Sequence, residues 1–132
     1  MVSRLPDSAR RLLEGKNFAF LATLFPDGSP QVTPVWVHTD GDYVLVNTAM
    51  GRVKQRNVSR DPRVTVAIAD QNNPYYYVMI RGRVVEQITG PVAEDHIDKL
   101  AKKYTGADKY TRQPSMQRVI LKIEVERIAG RA

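Results

Sequence analysis

Six segments of the chain show the hydrophobic pattern of β-strands, in which apolar residues alternate with polar ones or run together. The segments are residues 18–24, 30–38, 43–48, 63–69, 75–88 and 117–128. Asp-Gly turns at residues 27–28 and 40–41 join the first three segments, and such turns are typical of β-hairpins. The pattern therefore predicts an antiparallel meander at the start of the chain.

Three further segments show helical spacing of their apolar residues, and they are residues 5–16, 49–61 and 90–106. The third is the clearest, because Glu94 lies in its first turn, Lys102 in its last turn, and Gly106 can end it. The order of elements contains no βαβ crossover, so no parallel sheet is expected. We therefore predict one domain over residues 1–132, mainly β, folded as a six-stranded antiparallel β-barrel with flanking helices.

Two features of the predicted strands are unusual. Pro34 lies inside the second strand and has no amide hydrogen to donate, so this strand must be an edge, carry a bulge or offer its backbone elsewhere. In the run Tyr75–Tyr77, alternation sends the middle side chain to one face and its neighbours to the other. We expect aromatic residues on an outer face, as a partner surface or ligand wall, or else as partly exposed residues at a strand end.

Composition excludes several classes of protein. The 132 residues contain no cysteine, which excludes disulfide frameworks, cysteine zinc sites and thiol nucleophiles. The two histidines, His38 and His96, are far apart in the sequence, are both expected at the surface, and do not suggest a metal site. No segment reaches the roughly 20 apolar residues of a membrane span, and residues 1–16 lack the apolar core of a signal peptide. We expect a cytoplasmic protein without a membrane span.

The net charge of +6 favours anionic ligands, and a basic cluster at residues 52–63 suggests where one binds. In a helix, Arg52, Arg56 and Arg60 would form one stripe, whereas Lys54 would point to another side. Arg52, Lys54 and Arg56 could converge only on a ligand at the first turn of the helix, where free N–H groups attract anions and Thr48 lies just upstream. The geometry favours one compact phosphate, and the alternatives are a solvated helix face and a nucleic-acid contact.

The motifs "LAT", "DGSPQVTPVW" and "NTAMGRVKQRNVSRDPRV" resemble those of the pyridoxamine-phosphate-oxidase-like split-barrel flavoproteins. The chain is most similar to their short branch, which uses the deazaflavin coenzyme F420. The resemblance extends from Leu12 to the closing "VERIAG". It implies an FMN-binding type of split barrel and a homodimer with two cofactor sites at the subunit interface.

The resemblance also implies roles for individual residues. The side chains matching the phosphate site are Thr48, Arg52, Lys54 and Asn57, with Arg56 close by. Those matching the wall beside the flat ring system are Gln31, Thr33, Pro34, Val35 and Trp36. The tyrosines at 75–77, Tyr77 among them, would pack at the dimer interface or cover the ring.

The chain departs from the vitamin B6 oxidase pattern at one motif. It has Val53-Lys54 where that pattern has Arg-Lys, and it lacks the arginine-rich C-terminal tail that recognises pyridoxamine. The leading hypothesis is an F420-dependent oxidoreductase that passes a hydride to an electron-poor quinone, enone or tetrapyrrole. The alternatives are an FMN- or FAD-dependent oxidoreductase or flavin-binding protein of the same fold and, more remotely, a nucleic-acid-binding domain. Because such a cofactor carries the reactive atom, no catalytic side chain is assigned.

Overall fold

A computed structural model describes residues 4–131, which form one antiparallel sheet with three flanking helices. The strands are β1 Ala19–Leu24, β2 Pro30–Val35, β3 Val37–Asp40, β4 Tyr43–Ala49, β5 Arg63–Asp70, β6 Asn73–Ile88 and β7 Arg118–Gly130. The helices are α1 Asp7–Glu14, α2 Val53–Arg60 and α3 Pro91–Thr105. No helix among these residues is long and apolar enough to cross a membrane.

The sheet order, β2-β1-β5-β6-β7-β4-β3, explains the split barrel. Its two edges, β2 and β3, follow each other in the chain and are separated only by Trp36. The sheet must therefore curl until its edges meet at this residue, although no ladder of hydrogen bonds joins them. We call the junction of Val35, Trp36 and Val37 the seam.

The seam confirms the antiparallel split barrel and corrects its strand count. The single strand predicted over residues 30–38 is two strands, so the described part of the chain has seven strands and not six. The physical reason is that residues before Trp36 pair with β1, whereas residues after it pair with β4 on the opposite edge. Pro34 lies on the edge strand β2, which confirms that interpretation of the proline.

The core fills the inside of the curled sheet with alternating aliphatic side chains. Val66, Ile80 and Leu121 are among its fully buried members, and α1 contributes Leu13. Tyr76 packs against this core. Tyr75 and Tyr77 are exposed on the other face, which confirms that aromatic residues point outward.

Helix α3 holds the seam closed through Tyr104 and Lys103. The buried hydroxyl of Tyr104 accepts a hydrogen bond from the Val37 amide (3.2 Å) and donates one to the Asn17 carbonyl (2.7 Å). Lys103 Nζ donates to the carbonyl oxygens of Val37 (2.6 Å) and Leu13 (2.8 Å). The polar groups at the start of β3 are thereby satisfied by side chains from α3.

Candidate functional site

A cleft of about 240 Å³ opens at the seam. Residues just before β1, at the end of β2, and from β4, α2, α3 and β7 meet there, although they are far apart in the sequence. Its walls are formed by Phe18, Pro34, Val35, Trp36, Asn47, Thr48, Arg52, Lys54, Ile97, Tyr110 and Arg118. Six of these were predicted from the sequence: Pro34, Val35, Trp36, Thr48, Arg52 and Lys54.

One wall of the cleft is apolar and aromatic. It consists of the end of β2 at Pro34 and Val35, together with Trp36. The Trp36 ring stacks on Tyr104 (5.3 Å between centroids, 5° between planes) and meets Tyr110 edge to face (6.0 Å). These contacts fix the orientation of the indole, so the wall is flat and largely preformed.

Three cations line the cleft beside this apolar wall. Arg52 is the residue before α2, Lys54 lies in its first turn, and Arg118 begins β7. None of the ion pairs formed within residues 4–131 involves these three side chains. Burial lowers the pKa of Lys54 below its ordinary value, and the positive charges of Arg52 and Arg118 lower it further. Uncompensated positive charge of this kind favours an anionic ligand.

The remaining cations of the basic cluster are directed elsewhere. Arg60 donates to the Leu24 carbonyl, and Arg63 forms an ion pair with Asp61 (2.7 Å). Arg56 is exposed and does not line the cleft. The cluster therefore divides into two sets. Arg52 and Lys54 line the cleft, whereas Arg56, Arg60 and Arg63 are solvated or hold other parts of the chain.

Helix α2 begins later than predicted, which changes the position of Thr48. The predicted helix over residues 49–61 begins at Val53, after a turn at Gly51 with φ 87°. Thr48 is instead a buried residue of β4 and lines the cleft as a wall residue. The free N–H groups of the first helical turn lie beside Arg52 and Lys54, which adds positive potential there.

Five predicted site residues lie outside the cleft lining. Gln31 and Asn57 are linked through the Thr23 hydroxyl, which donates to Gln31 Oε1 and accepts from Asn57 Nδ2 (3.0 Å each). The Thr33 hydroxyl is buried without a hydrogen-bond partner among the described residues. The other two, Arg56 and Tyr77, are exposed. Cofactor contacts by these five residues stay predictions.

Arg118 and Tyr110 are the main cleft residues that the sequence did not reveal. Arg118 reaches the cleft because β7 pairs with β4, with Arg118 opposite Ala49 and Val119 opposite Thr48. A pairing over such a separation has no local signal in the sequence. Tyr110 lies in a polar loop whose sequence gives no local signal for a place in the cleft. The loop is fixed by Arg112, which pairs with Asp98 (2.9 Å) on α3.

His96 is buried, so the expectation of a surface histidine was wrong. It faces the sheet from α3, and its Nδ1 lies 3.0 Å from Asn47 Nδ2. Burial lowers the pKa of His96 to about 4, so the ring is neutral at physiological pH. No group of three or more histidine, aspartate or glutamate side chains in the described chain is arranged to hold a metal ion.

Comparisons with known proteins agree with this architecture. A solved structure named F420 Reductase superimposes with a TM-score of 0.81 and 31% identity, covering 95% of this chain and 98% of that one. The F420H(2)-dependent biliverdin reductase of Mycobacterium tuberculosis is 26% identical over 130 residues, 98% of this chain and 90% of that protein. A conserved hypothetical protein of the same species shares the fold, with a TM-score of 0.75 and 23% identity over 96% of this chain and 84% of that one. The sequence profile of the family described as Pyridoxamine 5'-phosphate oxidase matches residues 5–132, and the chain therefore belongs to that family.

Proposed function

We propose that this protein is an oxidoreductase that binds coenzyme F420 in the cleft at the seam and reduces an electron-poor organic acceptor. The observation that carries the proposal is the pairing of the two walls. Arg52, Lys54 and Arg118, which form no ion pair within residues 4–131, line the same cleft as the flat surface of Pro34, Val35 and Trp36. A phosphate and a planar ring on one ligand match these two walls.

The residues present fit such a cofactor. Arginine and lysine donate charge-assisted hydrogen bonds to phosphate oxygens, and the Thr48 hydroxyl can add a neutral donor. The backbone of β2 at Pro34 belongs to an edge strand, so a flat ring can lie along it without displacing a neighbouring strand. When bound, the reduced deazaflavin supplies a hydride.

The side chains of the cleft bind and orient and are not suited to acid–base catalysis. Among residues 4–131 no carboxylate lines the cleft, and the buried His96 does not line it either. The aromatic wall excludes water from one side of the site, while the cations hold an anionic ligand in one position and orientation. This arrangement suits hydride transfer, in which position and electrostatics are what the protein supplies.

The choice of F420 rests on the relatives. Two of them are named for F420, and one of these matches nearly the full length of both chains. FMN is the second candidate, with FAD beside it, because the family is described by a pyridoxamine-phosphate oxidase and phosphate recognition is common to these cofactors. For the acceptor we propose a planar conjugated molecule, a quinone, an enone or a tetrapyrrole, and the name of the mycobacterial relative supports the last.

We also propose that the active form is a homodimer. A row of exposed apolar side chains crosses the outer face of the sheet beside the cleft. Phe18, which lines the cleft and is 55% exposed, and Tyr77 lie near this row. An apolar face of this kind on a single chain indicates a partner surface, and its position would let the partner complete the cofactor site. The row consists of Pro34, Phe20, Ala67, Met79 and Ala129.

Titration of the purified protein with oxidised coenzyme F420, FMN and FAD under identical conditions tests the proposal. We expect F420 fluorescence to be quenched at the lowest concentration, and we expect Lys54→Ala to weaken its binding about 10- to 100-fold. Lys99→Ala is the matched control, because Lys99 is an exposed lysine of α3 paired with Asp95 and should leave affinity unchanged. An acceptor screen with reduced cofactor then identifies the substrate class.

Two results would contradict the proposal. If none of the three cofactors binds, or if Lys54→Ala binds as tightly as the wild type, the cleft is not a phosphate-anchored cofactor site. Steep salt dependence of binding to DNA or RNA, spread over Arg56, Arg60 and Arg63, would favour a nucleic-acid surface instead. The cytoplasmic location stays a prediction.

A further inference from the structure

Asn47 lies between a buried histidine and a cation of the cleft. Its Nδ2 is 3.0 Å from the Ala93 carbonyl oxygen and 3.0 Å from His96 Nδ1, and its Oδ1 is 2.9 Å from Arg118 Nε. All three side chains are at most 8% exposed. A continuous chain of hydrogen bonds therefore runs from the interior side of α3 to the cationic wall.

The ends of this chain determine the orientation of the Asn47 amide. The Ala93 carbonyl can only accept, and Arg118 Nε–H can only donate, so the amide nitrogen must face α3 and the oxygen must face β7. The reversed amide would set two acceptors against each other at one end and two donors at the other. Each reversed contact would leave buried polar groups without partners.

The same argument fixes the tautomer of His96. Both hydrogens of Asn47 Nδ2 are donated, one to Ala93 and one to His96, so Nδ1 of the ring must accept and the ring proton must lie on Nε2. The Nε2 atom is buried and has no hydrogen-bond partner among the described residues. A neutral ring is the form that burial favours. A second proton on Nδ1 would oppose the Asn47 amide and break the chain at its centre.

Arg118 is held on further sides as well. Its guanidinium lies over the Tyr110 ring at 5.1 Å, and its backbone amide donates to Glu94 Oε2 (3.2 Å). With Nε occupied by Asn47, the donors left to meet a ligand in the cleft lie on the two terminal nitrogens, and the Arg118 side chain also forms a hydrogen bond with Tyr110. The direction of these donors is thus set by a residue that is not itself charged.

We propose that Asn47 and His96 are positioning residues: the Ala93 carbonyl and the neutral His96 ring hold the Asn47 amide, and its oxygen holds Arg118 Nε so that Arg118 presents its terminal nitrogens to the anion in the cleft. Arg118 then recognises that anion by directed hydrogen bonds and not by charge alone. The inference rests on the proposed function for the identity of the anion. The positioning of Arg118 itself is a property of the protein without ligand.

The first experiment uses the ligand-free protein and does not depend on any cofactor. In nitrogen-15 NMR spectra, His96 should show the Nε2–H tautomer, and Arg118 Nε–H should give a slowly exchanging resonance. His96→Phe, which removes the acceptor, and Asn47→Leu should both increase Arg118 Nε–H exchange with solvent. His96→Asn, which offers an amide oxygen in place of Nδ1, should restore part of the protection, and His38→Phe should change nothing.

The titration of His96 gives a second signature that loss of packing would not produce. The charged or titratable groups that act on His96 are His38, Asp95, Lys99 and Lys103. In Asn47→Asp the new carboxylate faces the ring, so the pKa of His96 should rise, because a nearby negative charge favours the charged imidazolium. The carboxylate would also neutralise Arg118, and binding of inorganic phosphate should weaken.

The second experiment measures affinity for oxidised coenzyme F420, or for FMN if the wild type prefers it. Asn47→Leu and Arg118→Lys should each weaken binding about tenfold, although both keep the positive charge at residue 118. The double variant should be no weaker than either single variant, because both remove the same directed contact. Melting temperatures of all variants show whether each still folds.

The outcomes separate the two proposals. If Arg118 Nε–H exchanges equally fast in the wild type and in Asn47→Leu, or if the two affinity losses multiply, the positioning role is wrong. If the wild type binds no cofactor while the NMR signatures hold, the proposed function fails and the positioning of Arg118 stands. Protonated His96 or an Nδ1–H tautomer in the wild type at neutral pH would also overturn the inference.

Discussion

Removing the Tyr104 hydroxyl should weaken the hydrogen bonding of the seam at Val37 while leaving the ring that stacks on Trp36 in place. Tyr104→Phe deletes one oxygen that serves two buried groups, the Val37 amide (3.2 Å) and the Asn17 carbonyl (2.7 Å). Val37 is fully buried and Asn17 nearly so, so water cannot easily replace the hydroxyl. The phenyl ring would still stack on Trp36, so the loss is confined to hydrogen bonding.

The expected magnitude follows from these two contacts. A buried polar group left without its partner costs about 1–3 kcal/mol, so the two together should lower the free energy of unfolding by about 3 kcal/mol. For a domain of this length that corresponds to a fall in Tm of about 10 °C. Urea unfolding followed by circular dichroism measures the first quantity and calorimetry the second.

Tyr75→Phe is the matched control, because Tyr75 is 76% exposed and its hydroxyl is in solvent. It should change the free energy of unfolding by less than about 0.5 kcal/mol. Cofactor affinity should be nearly unchanged in both variants at temperatures where they are folded. If Tyr104→Phe is as stable as the wild type, the hydroxyl does not hold the seam and the account of α3 given above is wrong.

Three further predictions concern the site and the sheet. The pKa of Lys54 lies below its ordinary 10.5 in the free protein, so cofactor affinity should weaken as pH rises through that lowered pKa. Lys54→Arg should remove this pH dependence of affinity, and the same dependence in Lys54→Arg would contradict the prediction. Arg112→Ala should free the loop carrying Tyr110, because it removes the ion pairs of Arg112 with Glu94 and Asp98 on α3. Amide exchange over residues 107–116 should become faster and cofactor binding weaker. Unchanged exchange would show that Arg112 does not hold the loop. Gly82→Ala would place a methyl group against the Glu124 carbonyl oxygen and should lower Tm by more than 5 °C in a thermal melt; an unchanged Tm would show that the two strands can separate there at no cost.

The strands and helices could be predicted from local patterns because each carries its own periodicity and its own turns. Residues 90–106 illustrate this, since the acidic first turn, the basic last turn and the terminal glycine all agree with α3 Pro91–Thr105. The break at Trp36 could not be predicted, because both halves of the segment alternate correctly. Only the sheet order shows that they belong to opposite edges.

The cleft was predicted where its residues are close in the sequence. Arg52 and Lys54 share one short segment whose charge is visible, whereas Arg118 is brought in by a strand pairing across some seventy positions. The burial of His96 was missed for a related reason. Its neighbours Glu94 and Asp95 suggested a solvated helix face, but the turn of α3 places His96 against Asn47 of β4.

Because no ladder joins β2 and β3, the barrel has a line along which its strands are not hydrogen-bonded, and the proposed cofactor site lies on this line. Local opening of the barrel should start where strand-to-strand hydrogen bonding is absent, so the amides of Trp36 and His38, on either side of the Val37 amide held by Tyr104, should be among the first in the sheet to exchange with deuterium. A ligand bound there would stabilise the closed barrel. The Tm of the whole domain should therefore rise as the ligand binds more tightly.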